Sequence, residues 1–101
     1  MSASVFEIAN LACKPGSGDE FARQLAKGNA LIAADPACHG VSTYRGVEDP
    51  DSFVLVIGWD SIDDHNRFRD SASMAQFGSF VGDLLAAPPA FSHYNVADDS
   101  R

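Results

Sequence analysis

The 101-residue sequence is poor in positive charge and lacks the short motifs that commonly bind metals or phosphates. Seven Lys and Arg residues stand against fourteen Asp and Glu residues, which gives a formal net charge of −7 at pH 7. An acidic chain without a cluster of basic residues is not expected to bind nucleic acid. The histidines show no HxH or HExxH spacing, the two cysteines form no CxxC pair, and there is no glycine-rich phosphate loop. The sequence therefore predicts no metal site.

Long apolar runs and cysteines are also scarce. No apolar run approaches the length needed to cross a membrane, and the N-terminal residues lack the positive charge and apolar segment of a secretory signal. Cys13 and Cys38 are expected to remain thiols in a reducing compartment. These absences predict a cytoplasmic protein with no membrane partner. The length fits a single domain over residues 1–101, with an ordered core of about 4–96.

The apolar residues that are present predict four strands and two helical regions. In chain order, the predicted elements are a strand at Val5–Ala12, a helix that ends near Ala34, strands at Val41–Gly46 and Phe53–Trp59, a helical region at Ser61–Leu85 that is broken near Ser71–Ser73, and a strand at Phe91–Val96. The first helix cannot continue past Pro36, because proline lacks a backbone N–H. The order β-α-β-β-α-β indicates an α+β fold, a ferredoxin-like antiparallel sheet with the helices on one face.

The face of this sheet that no helix covers is predicted to be apolar. Val54, Val56 and Gly58 alternate with the inward-facing residues of the central strand. A face exposed to water would carry polar residues at these positions. A second sheet from an identical subunit is the simplest cover, so the sequence predicts a symmetric homodimer through the open sheet face.

One junction of the chain combines an aromatic side chain, a titratable group and a helix start. The apolar run Phe53–Ile57 leads to Trp59, the only tryptophan. Ser61 followed by Asp64 is the signature of a helix N-terminus, where side-chain oxygens accept hydrogen bonds from backbone N–H groups. His65 follows in the same helix and titrates near neutral pH. Such a convergence is typical of a small-molecule site.

Five short segments, in this order and spacing, resemble one known family. They are Lys14–Gly16 before the first helix, Asp35–Gly40 before the second strand, Glu48–Pro50 in the hairpin, Phe53–Ser61 around the tryptophan, and Leu84–Pro89 before the last strand. The chain resembles the antibiotic biosynthesis monooxygenase domain, within the dimeric α+β barrel superfamily. The resemblance implies a dimeric barrel that oxygenates a hydrophobic aromatic substrate such as a polycyclic phenol, anthrone or quinol. It also implies that the reaction uses O2 without a cofactor, in a pocket between the sheet and the helices.

The resemblance carries over to individual residues only in part. Trp59 matches the pocket tryptophan of the family. Leu55, His65, Arg45 and Ser79 stand where the anthrone-oxidising branch has asparagine, tyrosine, histidine and arginine. Activity on the substrates of that particular branch is therefore not implied.

We nevertheless expect the matched positions to build the site. Trp59 is expected to form a wall of the substrate pocket, and His65 is the candidate catalytic base. Arg45 is the candidate catalytic partner for a phenolate or enolate anion. The remaining predicted substrate-binding residues are Leu55, Phe68 and Phe77.

The departures from the family pattern keep two other functions open. One is an isomerase or cyclase on the same scaffold, which moves protons without consuming O2. The other is a non-catalytic homodimer that binds a small molecule. Arg45 also has an ordinary interpretation, as a surface ion-pair partner of Glu48 or Asp49. The sequence assigns no role to His39 or His93.

Overall fold

Four strands form one antiparallel sheet in the computed structural model, which describes residues 3–100. The elements are β1 (Val5–Ala12), α1 (Gly18–Ala33), β2 (Cys38–Arg45), β3 (Ser52–Trp59), α2 (Ile62–Arg69), α3 (Ala72–Val81) with a 3-10 turn at Gly82–Leu84, and β4 (Ala90–Tyr94). The strand order is β2-β3-β1-β4. Side chains from all three α-helices share one core with one face of the sheet. The predicted ferredoxin-like α+β fold is thereby confirmed. The predicted domain of residues 1–101 includes Met1, Ser2 and Arg101, which lie outside the described residues.

Three strands differ in length from the predictions. β3 begins at Ser52, one residue before the predicted start. β2 begins at Cys38 rather than Val41, and its pairing with β3 is irregular between Cys38 and Gly40. Gly40 has a φ of +138°, a backbone conformation that glycine adopts without steric cost. The last strand ends at Tyr94 rather than Val96.

The second helical region divides at the predicted serines. Ser71 Oγ accepts a hydrogen bond from the backbone N–H of Met74 (3.2 Å) and donates one to the carbonyl oxygen of Phe68 (2.6 Å). It therefore ends α2 and caps α3, as expected of a serine that competes for backbone hydrogen bonds. At the start of α2, Ser61 Oγ accepts from the backbone N–H of Asp64 (3.1 Å), which confirms the predicted helix N-terminus.

A glycine sets the distance between α1 and α3. On α1, Phe21, Leu25 and Ile32 are buried against the sheet. Gly28 is also buried, and a Cβ built on it would lie 2.6 Å from Cδ2 of Phe77 on α3. Only a residue without a side chain allows this approach, so Gly28 determines where the Phe77 ring lies.

The two faces of the sheet have different surroundings. Residues 5, 7, 9 and 11 of β1 are buried beneath the helices, and β1 pairs with β3 so that Glu7 is opposite Ile57. On the other face, Val54 and Val56 are half-buried and Tyr44 is exposed. Among residues 3–100, no helix is both long and apolar enough to span a membrane.

Candidate functional site

A cavity of about 240 Å³ lies between the sheet and the helices. The sheet contributes Leu55, Ile57 and Trp59 to its wall, and the helices contribute Phe68 and Phe77. Three titratable side chains interrupt this apolar lining, namely Glu7, His65 and Arg69. The structure thus brings His65, Trp59, Leu55, Phe68 and Phe77 of the predicted site to one cavity, which they line without filling.

Trp59 is the most completely buried residue of the cavity lining. It is the last residue of β3, its side chain is fully buried, and its ring centroid lies 5.6 Å from that of Phe68. The indole also stacks on His65 with a centroid distance of 5.3 Å and an interplanar angle of 19°. A buried indole N–H needs an acceptor, and Trp59 Nε1 donates to Oε1 of Glu7 at 3.1 Å.

Glu7 is a carboxyl group on the inward face of β1, and only 7% of the residue is exposed. Its Oε1 accepts the bond from Trp59 and lies 3.0 Å from Nε2 of His65. No other described residue forms a hydrogen bond to Glu7, so Oε2 is free to meet a molecule in the cavity. Burial raises the pKa of the Glu7 carboxyl, although the bond from Trp59 and the charge of Arg69 oppose that increase.

His65 is buried beside this carboxyl group, with 4% of the residue exposed. The Ser61 cap begins α2 four residues before it and so directs it toward the sheet. Burial, together with the neighbouring His93 and Arg69, lowers the pKa of His65 from 6.5 to about 4. The imidazole is therefore neutral at pH 7 and can both donate and accept a proton.

His93 extends the polar chain toward the surface. It lies on β4 directly opposite Glu7 of β1, and its Nε2 forms a 2.7 Å hydrogen bond with Nδ1 of His65. His93 is half-buried, whereas Glu7 and His65 are buried. The four side chains Trp59, Glu7, His65 and His93 form a chain of polar contacts that leads from a fully buried residue to a half-buried one.

Arg45 does not lie in this cavity, so its predicted position is corrected. It is on the helix-covered face of β2 as expected, but opposite Phe53, at the end of β3 away from Trp59. Its Nη1 lies 2.9 Å from Oδ1 of Asp19, and its Nε donates to the carbonyl oxygen of Pro50 at 2.6 Å. This ion pair and the turn fasten the hairpin to α1. The arginine that lines the cavity is Arg69.

The sequence interpretation missed three titratable groups of the site: Glu7 and Arg69, which line the cavity, and His93, which bonds to His65. For Glu7 a signal existed, because strict alternation along β1 places it on the same face as the apolar Val5, Ala9 and Leu11. His93 and Arg69 carried no comparable signal. His39 forms a hydrogen bond with Asp60 and lies outside the cavity.

No group of three or more His, Cys, Asp or Glu side chains within residues 3–100 is arranged to hold a metal ion. Glu7 contacts His65, and His65 contacts His93, so these three side chains form a line and do not converge on a common point. The 3.0 Å contact between Glu7 and His65 and the 2.7 Å hydrogen bond between His65 and His93 suit proton transfer.

Comparisons with other proteins agree with the fold and identify a family. The sequence profile described as antibiotic biosynthesis monooxygenase matches residues 4–79. The crystal structure of a candidate antibiotic biosynthesis monooxygenase from Bordetella bronchiseptica has a TM-score of 0.88 and 31% identity, over 94% of this chain and 98% of that one. A similarly described structure from Nitrosomonas europaea shares the fold, with a TM-score of 0.80 and 17% identity over 93% and 99% of the two chains. So does one from Caulobacter crescentus, with a TM-score of 0.80 and 16% identity over 96% and 92%. No match was found among curated proteins.

Proposed function

The chain belongs to the antibiotic biosynthesis monooxygenase family, and we propose that it is a cofactor-independent monooxygenase that oxidises a small hydrophobic phenol or quinol with O2. One observation carries the proposal. Glu7 is a buried carboxyl group in an apolar cavity, and one of its oxygens is held by Trp59 while the other is free. A carboxyl group with a raised pKa is a suitable base for an acidic phenolic or benzylic proton.

In the proposed reaction, a ring CH2 group, or the aromatic C–H of its phenol tautomer, becomes C=O. Glu7 removes one proton, the resulting carbanion reacts with O2, and the peroxide formed takes a proton back. Loss of the second C–H proton then breaks the O–O bond and releases water. The substrate supplies all four electrons that reduce O2, so the protein needs to supply only a base and an enclosure that excludes bulk water.

We assign His65 and His93 to proton exchange between Glu7 and solvent. His65 is neutral at pH 7 because its pKa is lowered to about 4, so it can accept a proton from Glu7 on Nε2 while it releases one from Nδ1. His93 lies 2.7 Å from Nδ1 and nearer the surface. This assignment makes His65 a proton relay beside the base, in place of the base that the sequence indicated.

The size of the cavity supports a small substrate. Its 240 Å³ is below the roughly 300–1,000 Å³ that is common for sites of drug-sized ligands. A substrate with one or two rings is therefore favoured over a larger polycyclic one. Trp59 and Phe77 would contact the two ends of such a ring system.

We also propose that a second copy of this chain covers the outer sheet face. Tyr44 and Tyr94 are 59% and 52% exposed, and they share that face with the half-buried Val54 and Val56. An apolar sheet face of this kind is usually buried in an assembly. Light scattering should give a mass twice the 10.7 kDa of one chain. A monomer at concentrations of tens of micromolar would contradict this assembly.

Oxygen consumption tests the proposed reaction directly. Metal-stripped protein would be supplied with hydroquinone, 1,4-dihydroxynaphthalene and anthrone in an oxygen-electrode cell, and product formation would be followed by absorbance. We expect saturable uptake of one O2 per quinone formed, which added catalase does not change. If catalase returns half of the oxygen, the enzyme releases hydrogen peroxide and is an oxidase. Conversion of substrate without O2 uptake would instead identify an isomerase or cyclase, for which the same proton-transfer groups would serve.

A further inference from the structure

The four arginines within the described residues differ in their partners. Arg23, Arg45 and Arg67 each form an ion pair with an aspartate or glutamate at 2.8–2.9 Å. Arg69 has no carboxylate oxygen within ion-pair distance among residues 3–100. Its only hydrogen bond there is a long one of 3.4 Å, to Oδ1 of Asn66. Arg69 thus presents an unneutralised guanidinium in a chain that is otherwise rich in carboxylates.

Arg69 is also the one arginine that lines the cavity. It is the last residue of α2, and its guanidinium carbon lies 4.8 Å from the ring centroid of Phe91. This cation–π contact holds the group at the open side of the cavity, where Phe91 is 38% exposed. The charge also reaches the cavity interior: it opposes the burial that raises the pKa of Glu7, and it adds to the burial and the His93 charge that lower the pKa of His65.

A helix C-terminus favours a positive charge, but that preference does not account for this placement. Arg67 already supplies a positive charge to the last turn of α2, and it points to Asp35, outside the cavity. An anion entering a protein of net charge −7, in a cavity that already holds Glu7, would be repelled. A guanidinium at the entrance removes this obstacle, and its fork of N–H donors matches a carboxylate.

We propose that the ligand of this cavity is a small aromatic hydroxy acid, whose ring enters between Trp59 and Phe77 and whose carboxylate is bound by Arg69 at the entrance. Its role as a substrate rests on the proposed function, whereas its binding does not. A carboxylate at Arg69 would also orient the ring, because one end of the ligand is then fixed at the open side of the cavity.

Calorimetric titration tests this inference without any turnover. The probes are 1-hydroxy-2-naphthoate and its methyl ester, which share the ring and the hydroxyl group and differ in charge. We expect the wild-type protein to bind the acid about 10- to 100-fold more tightly than the ester, the range for a charge-assisted bond. Arg69→Gln should remove this preference and leave the affinity for the ester within twofold. Arg69→Lys should keep part of the preference, because it keeps the charge and loses the bidentate geometry.

Arg67→Gln is the matched control, because Arg67 is on the same helix and its partner lies outside the cavity. It should leave both affinities unchanged. Equal binding of acid and ester by the wild-type protein would overturn the inference, as would an equal effect of the two glutamine variants. Binding of neither probe at millimolar concentration would overturn it too. If Arg69 selects the acid but no O2 is consumed with phenolic substrates, the ligand class stands and the monooxygenase proposal fails.

Discussion

Replacing Glu7 with glutamine separates the proposed chemistry from the fold, because it changes charge and almost nothing else. In the wild type, Trp59 Nε1 donates a hydrogen bond to Oε1 of Glu7 at 3.1 Å. The side-chain amide oxygen of glutamine can still accept this bond, and the shape of the side chain is kept. The amide cannot accept a proton. General base catalysis contributes about 100- to 10,000-fold to rate, so we expect Glu7→Gln to lower kcat by a factor in that range.

The stability of the Glu7→Gln variant should not fall with its kcat. Burial raises the pKa of Glu7, so the ionised carboxylate opposes folding at pH 7, and the neutral amide removes this cost. We expect the free energy of unfolding to be unchanged or higher. Glu7→Ala should instead lower it by about 1–3 kcal/mol, because the buried Trp59 N–H loses its acceptor. For a domain of this size, each kcal/mol corresponds to about 4–8 °C in Tm.

Two measurements on the same preparations decide the outcome. Initial rates of oxygen uptake give kcat, and thermal denaturation followed by the fluorescence of Trp59 gives Tm. The matched control is Glu48→Gln, because Glu48 is an exposed residue of the hairpin loop, and both quantities should stay at wild-type values. An unchanged kcat in Glu7→Gln would refute the role of Glu7 as base. A large fall in Tm in that variant would refute the assignment of a stability cost to its charge.

Two further predictions concern Phe77 and His65. Gly28→Ala places a Cβ 2.6 Å from the Phe77 ring. The cost of overpacking, about 1–3 kcal/mol, outweighs the roughly 1 kcal/mol gain in helix propensity. We therefore expect a lower Tm in thermal denaturation and weaker binding of 1-hydroxy-2-naphthoate in calorimetry. Gly78→Ala, which meets no atom within 4 Å, should be neutral or stabilising, and equal behaviour of the two variants would contradict this reasoning. Because the pKa of His65 is lowered from 6.5 to about 4, its contribution to stability is complete above pH 6.5 and is lost as pH falls toward 4. At about 1.4 kcal/mol per pH unit, that loss amounts to about 3 kcal/mol. Urea unfolding at pH 7, 5.5 and 4 should show a shallower acid loss in His65→Phe than in the wild type, and parallel curves would exclude His65 as the cause.

Much of the fold could be predicted from the sequence because the decisive signals are local. Pro36 ends the first helix, Ser61 begins α2, and Ser71 divides the helical region, each through bonds within four residues. The run from Phe53 to Trp59 identifies a central strand by its apolar residues alone. These elements and their order leave few alternatives to a ferredoxin-like sheet.

The site was harder to predict because its contacts join distant parts of the chain. Glu7 and His93 become neighbours only through the pairing of β1 with β4, and no local pattern indicates that pairing. Arg45 was placed on the correct face of β2, but the hairpin register sets it opposite Phe53. Its ion-pair partner, Asp19, is 26 residues away along the chain. The sheet face of a side chain can be derived from the alternation along its strand. The residue that it contacts depends on the strand register and on the helix packed over the strand.

The strongest sign of function is that Glu7 conflicts with its local surroundings. Its neighbours on the inward face of β1 are Val5, Ala9 and Leu11, and an apolar residue or a glutamine there would fill the space without a charge. Burying a carboxylate is costly even when it is paired, and its closest titratable neighbour, His65, is held neutral by burial. The bond from Trp59 needs only an acceptor, which a glutamine would also supply, so the charge of Glu7 and its free oxygen are not explained by the fold. Such conflicts between local preference and structure are expected where a protein binds or transforms a ligand. Glu7 therefore favours the helix-covered cavity, rather than the apolar outer face of the sheet, as the site of the proposed chemistry.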